Sequence, residues 1–533
     1  MDGSQRPCQP QIPGQEPVNG QAPRSARIAR LAVPKDRRLP RISSAGAFAA
    51  GIALACALGV ARPVAAEPWV APGESRLRHD LQVLYDRGLL TGPSLSWPLS
   101  WPDIARDLGR IDVREQSPSV AIIVARVRHR LDREQRTDNI SLQASVAAGA
   151  DPSELRTFSD TPREQGEATL SADWLGQRFA WKASVTAVTD AADNQTWRPD
   201  GSYFGASLGN WMLSVGYLER WWGPGSDGTL LLSTNARPVP SISLERQEST
   251  PMDVPLLRWL GPWRFLTFMG QLEEDRDYSN ALLFGMRIEL RPLPSLQIAA
   301  SRTAQWCGDG RPCDGGTFWD MIIGNDNDQD LDQQPGNQLA GFDVRWTWPG
   351  GKVPLALYAQ AIGEDEAGFL PSKYLGLFGA EVWGAVGDGS WRAHVEYADT
   401  ACDFLASPPE FGCAYTSGIY TDGYRYEGRS LGHSMDADGE SLGFGGMLID
   451  RAGHEWRVLL RNVKLNRAGA APLHSLADGP AKVKDVELVH RRDYAWGTVE
   501  ASLGYADTEA DAGVDLAVQD GLRGYVSWRY ATR

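Results

Sequence analysis

The hydrophobic pattern along the chain changes its period once, near Asn139. Before that point apolar residues recur at helical spacing, which predicts three helices. The second is predicted to start at Trp101–Asp103 and the third at Ser117-Pro118. The first predicted helix places its apolar side chains at i, i+4, i+7 and i+8: Leu77, Leu81, Leu84 and Tyr85. Three short amphipathic helices can bury one another, so residues 67–136 are predicted to form a small satellite bundle.

After Asn139 apolar and polar residues alternate to the end of the chain, as in Phe179–Ala187, Leu282–Leu290 and Trp391–Tyr397. Tight turns and long polar stretches follow these segments in alternation. The predicted tight turns are Gly209-Asn210, Arg291–Ser295, Pro349–Lys352 and Gly387–Ser390. This pattern predicts an all-β transmembrane fold over residues 137–533, an antiparallel β-barrel of roughly sixteen to eighteen strands. Charges among the polar positions and aromatic residues near strand ends favour a barrel over a soluble β-sandwich, propeller or β-helix.

The amino terminus is typical of a secretory signal peptide. Arg37, Arg38 and Arg41 precede the apolar run Ile42–Ala61, and small residues lead to a predicted cleavage near Ala66. The alternative is an uncleaved membrane anchor, since twenty uncharged residues could just span a bilayer. Residues 1–66 are therefore predicted to be an extension followed by a signal peptide.

The charge and the cysteines restrict the partners. The whole chain carries a formal charge of −14, and loss of residues 1–66 would make it about −20, which argues against binding to nucleic acid. In an oxidising compartment, Cys307 and Cys313 are predicted to form one disulfide, and Cys402 and Cys413 a second. Neither pair has the spacing of a zinc site, and no cofactor or metal is predicted.

Three short motifs resemble chemical sites but lack the required context. Gly205–Gly209 matches the GxSxG pattern, yet Ser207 lies in a predicted strand with no helix after it. The acidic stretch Asn325–Asp332 has leucine where a calcium loop needs glycine. Glu273 and Glu274 are adjacent in a predicted extended segment and would point to opposite faces. No catalytic residue is predicted.

Two aromatic segments are candidates for ligand contact. In ERWWGPGSDGTLLLSTNARP (Glu219–Pro238), one of Trp221 and Trp222 could anchor in the wall while the other projects inward, and both are candidates for sugar binding. The alternative is an interface tryptophan beside a turn. Gly223-Pro224-Gly225 should turn the chain and permit close backbone approach.

The second segment is YTDGYRYEGRSLGH (Tyr420–His433), which concentrates aromatic and cationic side chains in an acidic protein. Tyrosine rings can cover the apolar faces of sugars, and forked guanidinium groups can bind carboxylates. Its candidate binding residues are Tyr420, Tyr424, Arg425, Tyr426, Arg429 and His433. The alternative places Tyr424 and Tyr426 in an outward girdle and pairs Arg425 and Arg429 with lumenal carboxylates.

The order of several segments resembles the capsule assembly Wzi family of outer-membrane proteins. The matching stretches are Trp69–Leu90, Trp97–Ile104, Arg220–Pro238, Pro335–Trp346 and Ile419–Gly439. The resemblance implies a barrel of about eighteen strands with its helical bundle on the periplasmic side. It also implies a lectin-like role, in which the protein binds exported capsular polysaccharide and helps to organise it at the cell surface. The protein is predicted to be a non-enzymatic monomer in outer-membrane lipid. A porin or solute channel is the alternative function, and an outer-membrane hydrolase is a further rival.

Overall fold

The strands of the protein close into one antiparallel barrel, as the alternating pattern predicts. The computed structural model describes residues 67–137, 139–323, 336–348, 354–367, 370–471 and 473–532. Among them, Gly521–Ala531 pairs with Ile140–Ala150 and so joins the last strand to the first. No helix in these described ranges is both long enough and apolar enough to cross a membrane. The predicted signal peptide and the acidic stretch Asn325–Asp332 lie outside the described residues.

Eighteen strands form the barrel within the described residues, and the prediction of about eighteen is confirmed. They are β1 Ile140–Ala150, β2 Gly166–Leu175, β3 Phe179–Thr189, β4 Tyr203–Leu208, β5 Trp211–Gly216, β6 Ser241–Arg246, β7 Trp263–Gln271, β8 Leu282–Leu293, β9 Leu296–Trp306, β10 Gly336–Thr347, β11 Leu355–Ala367, β12 Leu370–Val386, β13 Gly389–Asp399, β14 Glu440–Ile449, β15 Glu455–Leu465, β16 Ala481–Tyr494, β17 Gly497–Ala510 and β18 Gly521–Ala531. A two-residue strand, Trp197–Arg198, pairs additionally with β3.

The remaining elements are short. The helices are α1 Ser75–Asp86, α2 Trp101–Leu108, α3 Pro118–Glu134 and α4 Gly315–Ile323, with 3-10 turns at Val113–Glu115 and Arg258–Leu260. The other two-residue strands are Trp69–Val70, Ser96–Trp97, Leu99–Ser100, Trp221–Trp222, Arg425–Tyr426 and Arg429–Ser430.

Along the barrel strands apolar side chains mostly point outward and polar side chains mostly point inward. In β15, Val458 and Leu460 are exposed on the outer wall, whereas Arg461 points into the lumen and is buried. Inside, Arg461 and Arg523 both pair with Asp485, at 2.6 Å in each case. The outer band is therefore lipid-compatible, and the lumen is lined by charges that neutralise one another.

The two ends of the barrel differ in the length of their connections. Gly209-Asn210 joins β4 to β5, Pro294-Ser295 joins β8 to β9, and Gly387-Asp388 joins β12 to β13, at three of the predicted turns. The predicted turn Pro349–Lys352 lies outside the described residues. Most of the long connections lie at the opposite end, including residues 217–240 and 400–439. We call these the short-turn end and the long-loop end.

The three amino-terminal helices lie where the sequence predicts them, but they are not a satellite bundle. They pack into the short-turn end of the barrel and share an apolar cluster with wall residues such as Trp383. Arg345 of β10 pairs with Asp86 of α1, and Arg291 of β8 donates to the carbonyl of Tyr85 at 2.6 Å. Because the wall arginines need acceptors once buried, the helices complete the barrel rather than stand beside it.

A long connection folds inward and meets these helices inside the barrel. Residues 217–240 enter from the long-loop end, and Trp221 and Trp222 pair antiparallel with Trp97 and Ser96. Gly223 also donates its backbone N–H to the carbonyl of Leu95 at 3.0 Å. Segments from the two ends of the barrel therefore meet in the lumen, which is filled by folded chain.

Glu396 of β13 holds this connection to the wall. Its carboxylate accepts the backbone N–H groups of Ser226, Asp227 and Gly228 at 2.7, 3.0 and 2.9 Å, and the hydroxyl of Tyr358 at 2.7 Å. Consecutive N–H groups aimed at one carboxylate form a compact anion cradle. Glu396 therefore fixes the 217–240 connection to the wall, and we call this contact the latch.

Replacing Glu396 by alanine should loosen this connection. The change leaves three buried N–H groups without their acceptor, and each such loss costs about 1–3 kcal/mol. We expect faster hydrogen–deuterium exchange across residues 217–240, with retained heat-modifiable migration of the barrel.

The matched control is Glu509→Ala in β17, because that carboxylate is 59% exposed and pairs with the surface residues Lys482 and Lys484. Equal exchange in the two variants across residues 217–240 would contradict the latch.

Candidate functional site

The long-loop end is filled by a second infolded connection, residues 400–439. It begins with the disulfide between Cys402 and Cys413, and Cys307 and Cys313 form the other disulfide at the same end. The hydroxyl of Tyr415 donates to the carbonyl of Leu230 at 2.6 Å and so joins the two infolded connections. We call residues 217–240 and 400–439 together the plug.

The structure places Trp221 and Trp222 in the interior, each 1% exposed, and neither lies in the barrel wall. Trp221 packs edge-on against Phe158 at 5.4 Å between ring centroids, and Trp222 packs against Phe268 at 5.6 Å. The expectation that one ring anchors in the wall is wrong, because this strand has left the wall to pair with Trp97. In this conformation both rings are core residues and do not reach a polymer outside.

The close backbone approach predicted around Gly223 is present. A Cβ at Gly223 would lie 2.5 Å from Oγ1 of Thr229, and a Cβ at Gly228 would lie 2.0 Å from Nε2 of His433. Glycine therefore permits close packing within the 217–240 connection at Gly223, and between the two connections of the plug at Gly228. His433, another candidate binding residue, is buried at this contact.

In the Tyr420–His433 segment, Arg425 pairs with a carboxylate inside the barrel, as the alternative interpretation predicts. Its guanidinium donates to both carboxylate oxygens of Asp436, at 2.8 and 3.1 Å, and both residues are buried. Tyr424 is also fully buried and stacks on Tyr415 at 6.0 Å between ring centroids. Arg425 and Tyr424 hold the plug together, and Tyr424 is not part of an outward aromatic girdle.

Tyr420, Tyr426 and Arg429 lie nearer the outer surface of the plug. Tyr420 and Tyr426 are still buried, whereas the Arg429 side chain is 23% exposed and pairs with Glu154. Burial raises the pKa of Tyr420 to about 12, so its hydroxyl is protonated and donates to the carbonyl of Cys307 at 2.9 Å. Of the predicted cationic residues, Arg429 is therefore the one that keeps contact with solvent.

Two further residues cover Tyr420, and sequence reasoning missed both. Tyr278 packs edge-on against Tyr420 at 5.7 Å between ring centroids, and the guanidinium carbon of Arg311 lies 5.3 Å from the centre of the Tyr278 ring. Tyr278 and Arg311 are partly exposed. Arg311 lies inside the loop closed by Cys307 and Cys313, which is a signal that could have drawn attention to it. We call Tyr278, Arg311 and Arg429 the rim surface.

A cavity of about 120 Å³ remains between α1 and the wall. Several of its charged lining residues pair with each other: Arg392 pairs with Glu381, and the His394 ring lies 3.0 Å from Asp227. Arg78 rests on the Phe158 ring, 4.1 Å from its centre. These charged groups therefore already have partners within the protein.

The structure gives no catalytic arrangement to the short motifs that it describes. Ser207 lies in β4 and accepts a hydrogen bond from Gln247 at 3.0 Å, and a hairpin rather than a helix follows it. Glu273 pairs with Arg276 at 2.8 Å, whereas Glu274 is exposed. No group of three or more metal-binding side chains occurs in the described part of the chain.

Comparison with known proteins gives one consistent relationship. The family model for capsule assembly protein Wzi matches residues 146–515. An uncharacterized 55.8 kDa protein in the cps region of Klebsiella pneumoniae is 30% identical over 418 residues, which are 78% of this chain and 81% of that protein.

A solved structure agrees with the sequence relatives. Wzi of Escherichia coli, described as an outer-membrane protein involved in group 1 capsule assembly and a carbohydrate-binding β-barrel, has 27% sequence identity and a TM-score of 0.77. The match covers 87% of this chain and 99% of that chain, so the two proteins share one fold over most of their length. The chain therefore belongs to the capsule assembly protein Wzi family and is an outer-membrane β-barrel.

Proposed function

We propose that this protein binds exported capsular polysaccharide at the cell surface and supports capsule assembly there, without chemical conversion of the polymer. The observation that carries the proposal is the match to a carbohydrate-binding Wzi barrel over 99% of that chain. In outer-membrane barrels short turns face the periplasm and long loops face outward. The helices α1 to α3 then lie on the periplasmic side, and the plug faces the capsule.

The filled lumen supports surface binding over the rival function of a solute channel. Helices enter from one end, the plug enters from the other, and Trp221 and Trp222 pair with Ser96 and Trp97 between them. A conduit for solutes needs a continuous wet path, whereas here buried arginines are bonded to buried carboxylates. Such a barrel is suited to presenting a fixed outer surface.

We assign polymer contact to the rim surface. Tyr278 offers a ring to the apolar face of a sugar, and Arg311 and Arg429 offer donors to hydroxyl or carboxylate groups. Aromatic–guanidinium pairs of this kind remain amphipathic at a wet surface. The buried residues Tyr420, Tyr424 and Arg425 support the rim surface from below.

Removing the rim surface should weaken polymer binding. A charge-assisted hydrogen bond contributes about 1.5–3 kcal/mol, so the double variant Tyr278→Ala/Arg311→Ala should lose roughly tenfold or more in affinity for the capsular polysaccharide of the producing strain. Binding is measured with the purified barrel in nanodiscs. If the polymer is anionic, the wild-type affinity should also fall with added salt, because screening weakens the arginine contribution.

The control variant is Arg451→Ala, which removes an 86% exposed arginine at the short-turn end. It should bind the polymer as the wild type does. A double variant that migrates as a folded barrel and binds with wild-type affinity would remove Tyr278 and Arg311 from the binding surface.

Acid should loosen the plug beneath this surface. Burial lowers the pKa of His433 to about 4, against about 6.5 in an opened chain. The opened plug then binds more protons than the folded plug. The free energy that favours the folded plug is therefore greatest above pH 6.5 and decreases as the pH falls to 4, by up to about 3 kcal/mol. Burial also raises the pKa of Asp438 to about 6, which acts in the opposite direction.

The difference between the wild type and His433→Gln isolates the histidine. Hydrogen–deuterium exchange across residues 400–439, corrected for intrinsic rates, should increase from pH 7 to pH 4.5 more steeply in the wild type. The same slope in both proteins would show that His433 does not set the acid sensitivity of the plug.

A further inference from the structure

Helix α4 (Gly315–Ile323) lies on the outside of the barrel wall. In β8 and β9, Leu283 and Gln305 point inward, so their neighbours Phe284 and Trp306 point outward, and these outward side chains form an apolar cluster with α4. Phe318 packs against Phe284 at 5.4 Å and against Trp306 at 5.1 Å between ring centroids. The helix therefore covers a part of the wall that would otherwise face lipid.

Side chains form hydrogen bonds with the backbone at both ends of the helix. At its start, Oδ1 of Asp314 accepts the backbone N–H groups of Gly316 and Thr317 at 2.8 and 3.1 Å. At its end, outward-facing Arg302 of β9 donates to the carbonyls of Met321 and Ile322 at 2.7 and 3.1 Å. An arginine on the lipid face of a barrel is costly, and here the last carbonyls of a helix and Oε1 of Gln338 accept hydrogen bonds from its guanidinium group.

The position of α4 along the wall corresponds to the outer leaflet. The apolar cluster that includes α4 spans Leu282 to Met286 on β8, from the first residue of that strand at the long-loop end to four residues along it. It therefore reaches roughly 13 Å along the strand, and less along the membrane normal because barrel strands tilt. The helix thus lies beside the uppermost part of the apolar band.

The exposed face of α4 continues that band. Trp319 points away from the wall and is 61% exposed. Beside the helix, Arg302 is paired with Ala340 of β10, and two residues further along β10 Phe342 is 51% exposed on the lipid-facing wall. Tryptophan is enriched at the height where acyl chains meet headgroups.

We propose that α4 is an interfacial helix that binds the lipid of the outer leaflet, with Trp319 inserted at the boundary between acyl chains and headgroups. The same loop carries the disulfide of Cys307 and Cys313 and Arg311, so lipid contact at α4 fixes the height of that loop above the membrane. This contact depends on the barrel fold and is independent of polymer binding.

The test places one environment-sensitive fluorophore at each of three positions by cysteine substitution: Trp319→Cys, Phe342→Cys as the lipid-facing control and Asp511→Cys in the exposed β17–β18 connection as the aqueous control. Each labelled barrel is reconstituted at low protein density into phosphatidylcholine vesicles, with and without nitroxide-labelled phosphatidylcholine. We expect blue-shifted emission at position 319 and quenching comparable with position 342, several-fold greater than at position 511.

Two outcomes would overturn the proposal. Water-like emission with quenching no greater than at position 511 would place α4 in solvent. Blue-shifted emission without nitroxide quenching would place it against protein, such as a second copy of the chain. Trp319 is on the exposed face of α4, so its substitution leaves the packing of Phe318 and Met321 intact. The Trp319→Cys variant should therefore fold as the wild type does.

Discussion

The need to neutralise buried charge governs this structure. A barrel of eighteen strands directs its polar side chains inward, and ionised groups there are costly unless they find partners. Arg345 pairs with Asp86 on a helix, and Arg291 donates to backbone carbonyls at the end of that helix. Glu396 accepts three N–H groups of an infolded connection. The wall, the helices and the plug are therefore one hydrogen-bonded unit, and the lumen is filled as a consequence.

The proposed binding function fits this filled unit better than transport does. The plug brings residues from distant loops to the long-loop end, where Tyr278, Arg311 and Tyr420 meet around the Cys307–Cys313 loop. Arg425 and Asp436 brace the same plug from within. We propose that the outer surface so formed holds the polymer, and that α4 sets its height against the membrane.

The sequence predicted the barrel well and the site poorly, for physical reasons. Strand alternation is a local signal, and lipid outside with water-compatible groups inside enforces it at every strand, as in β15. Trp221, in contrast, is extended chain whose partner, Trp97, is far away in sequence, and no local pattern reveals that this strand leaves the wall. Arg425 likewise could have faced a ligand or a carboxylate, and its contact with Asp436 depends on the fold of the whole connection.

The central claim, that folded chain fills the lumen, is tested most directly by single-channel recording of the intact protein in planar lipid bilayers. The account predicts a silent barrel, with no stable conductance steps at moderate voltage in symmetric salt. Reproducible, long-lived steps of the size given by open porins would contradict it and would favour a solute channel.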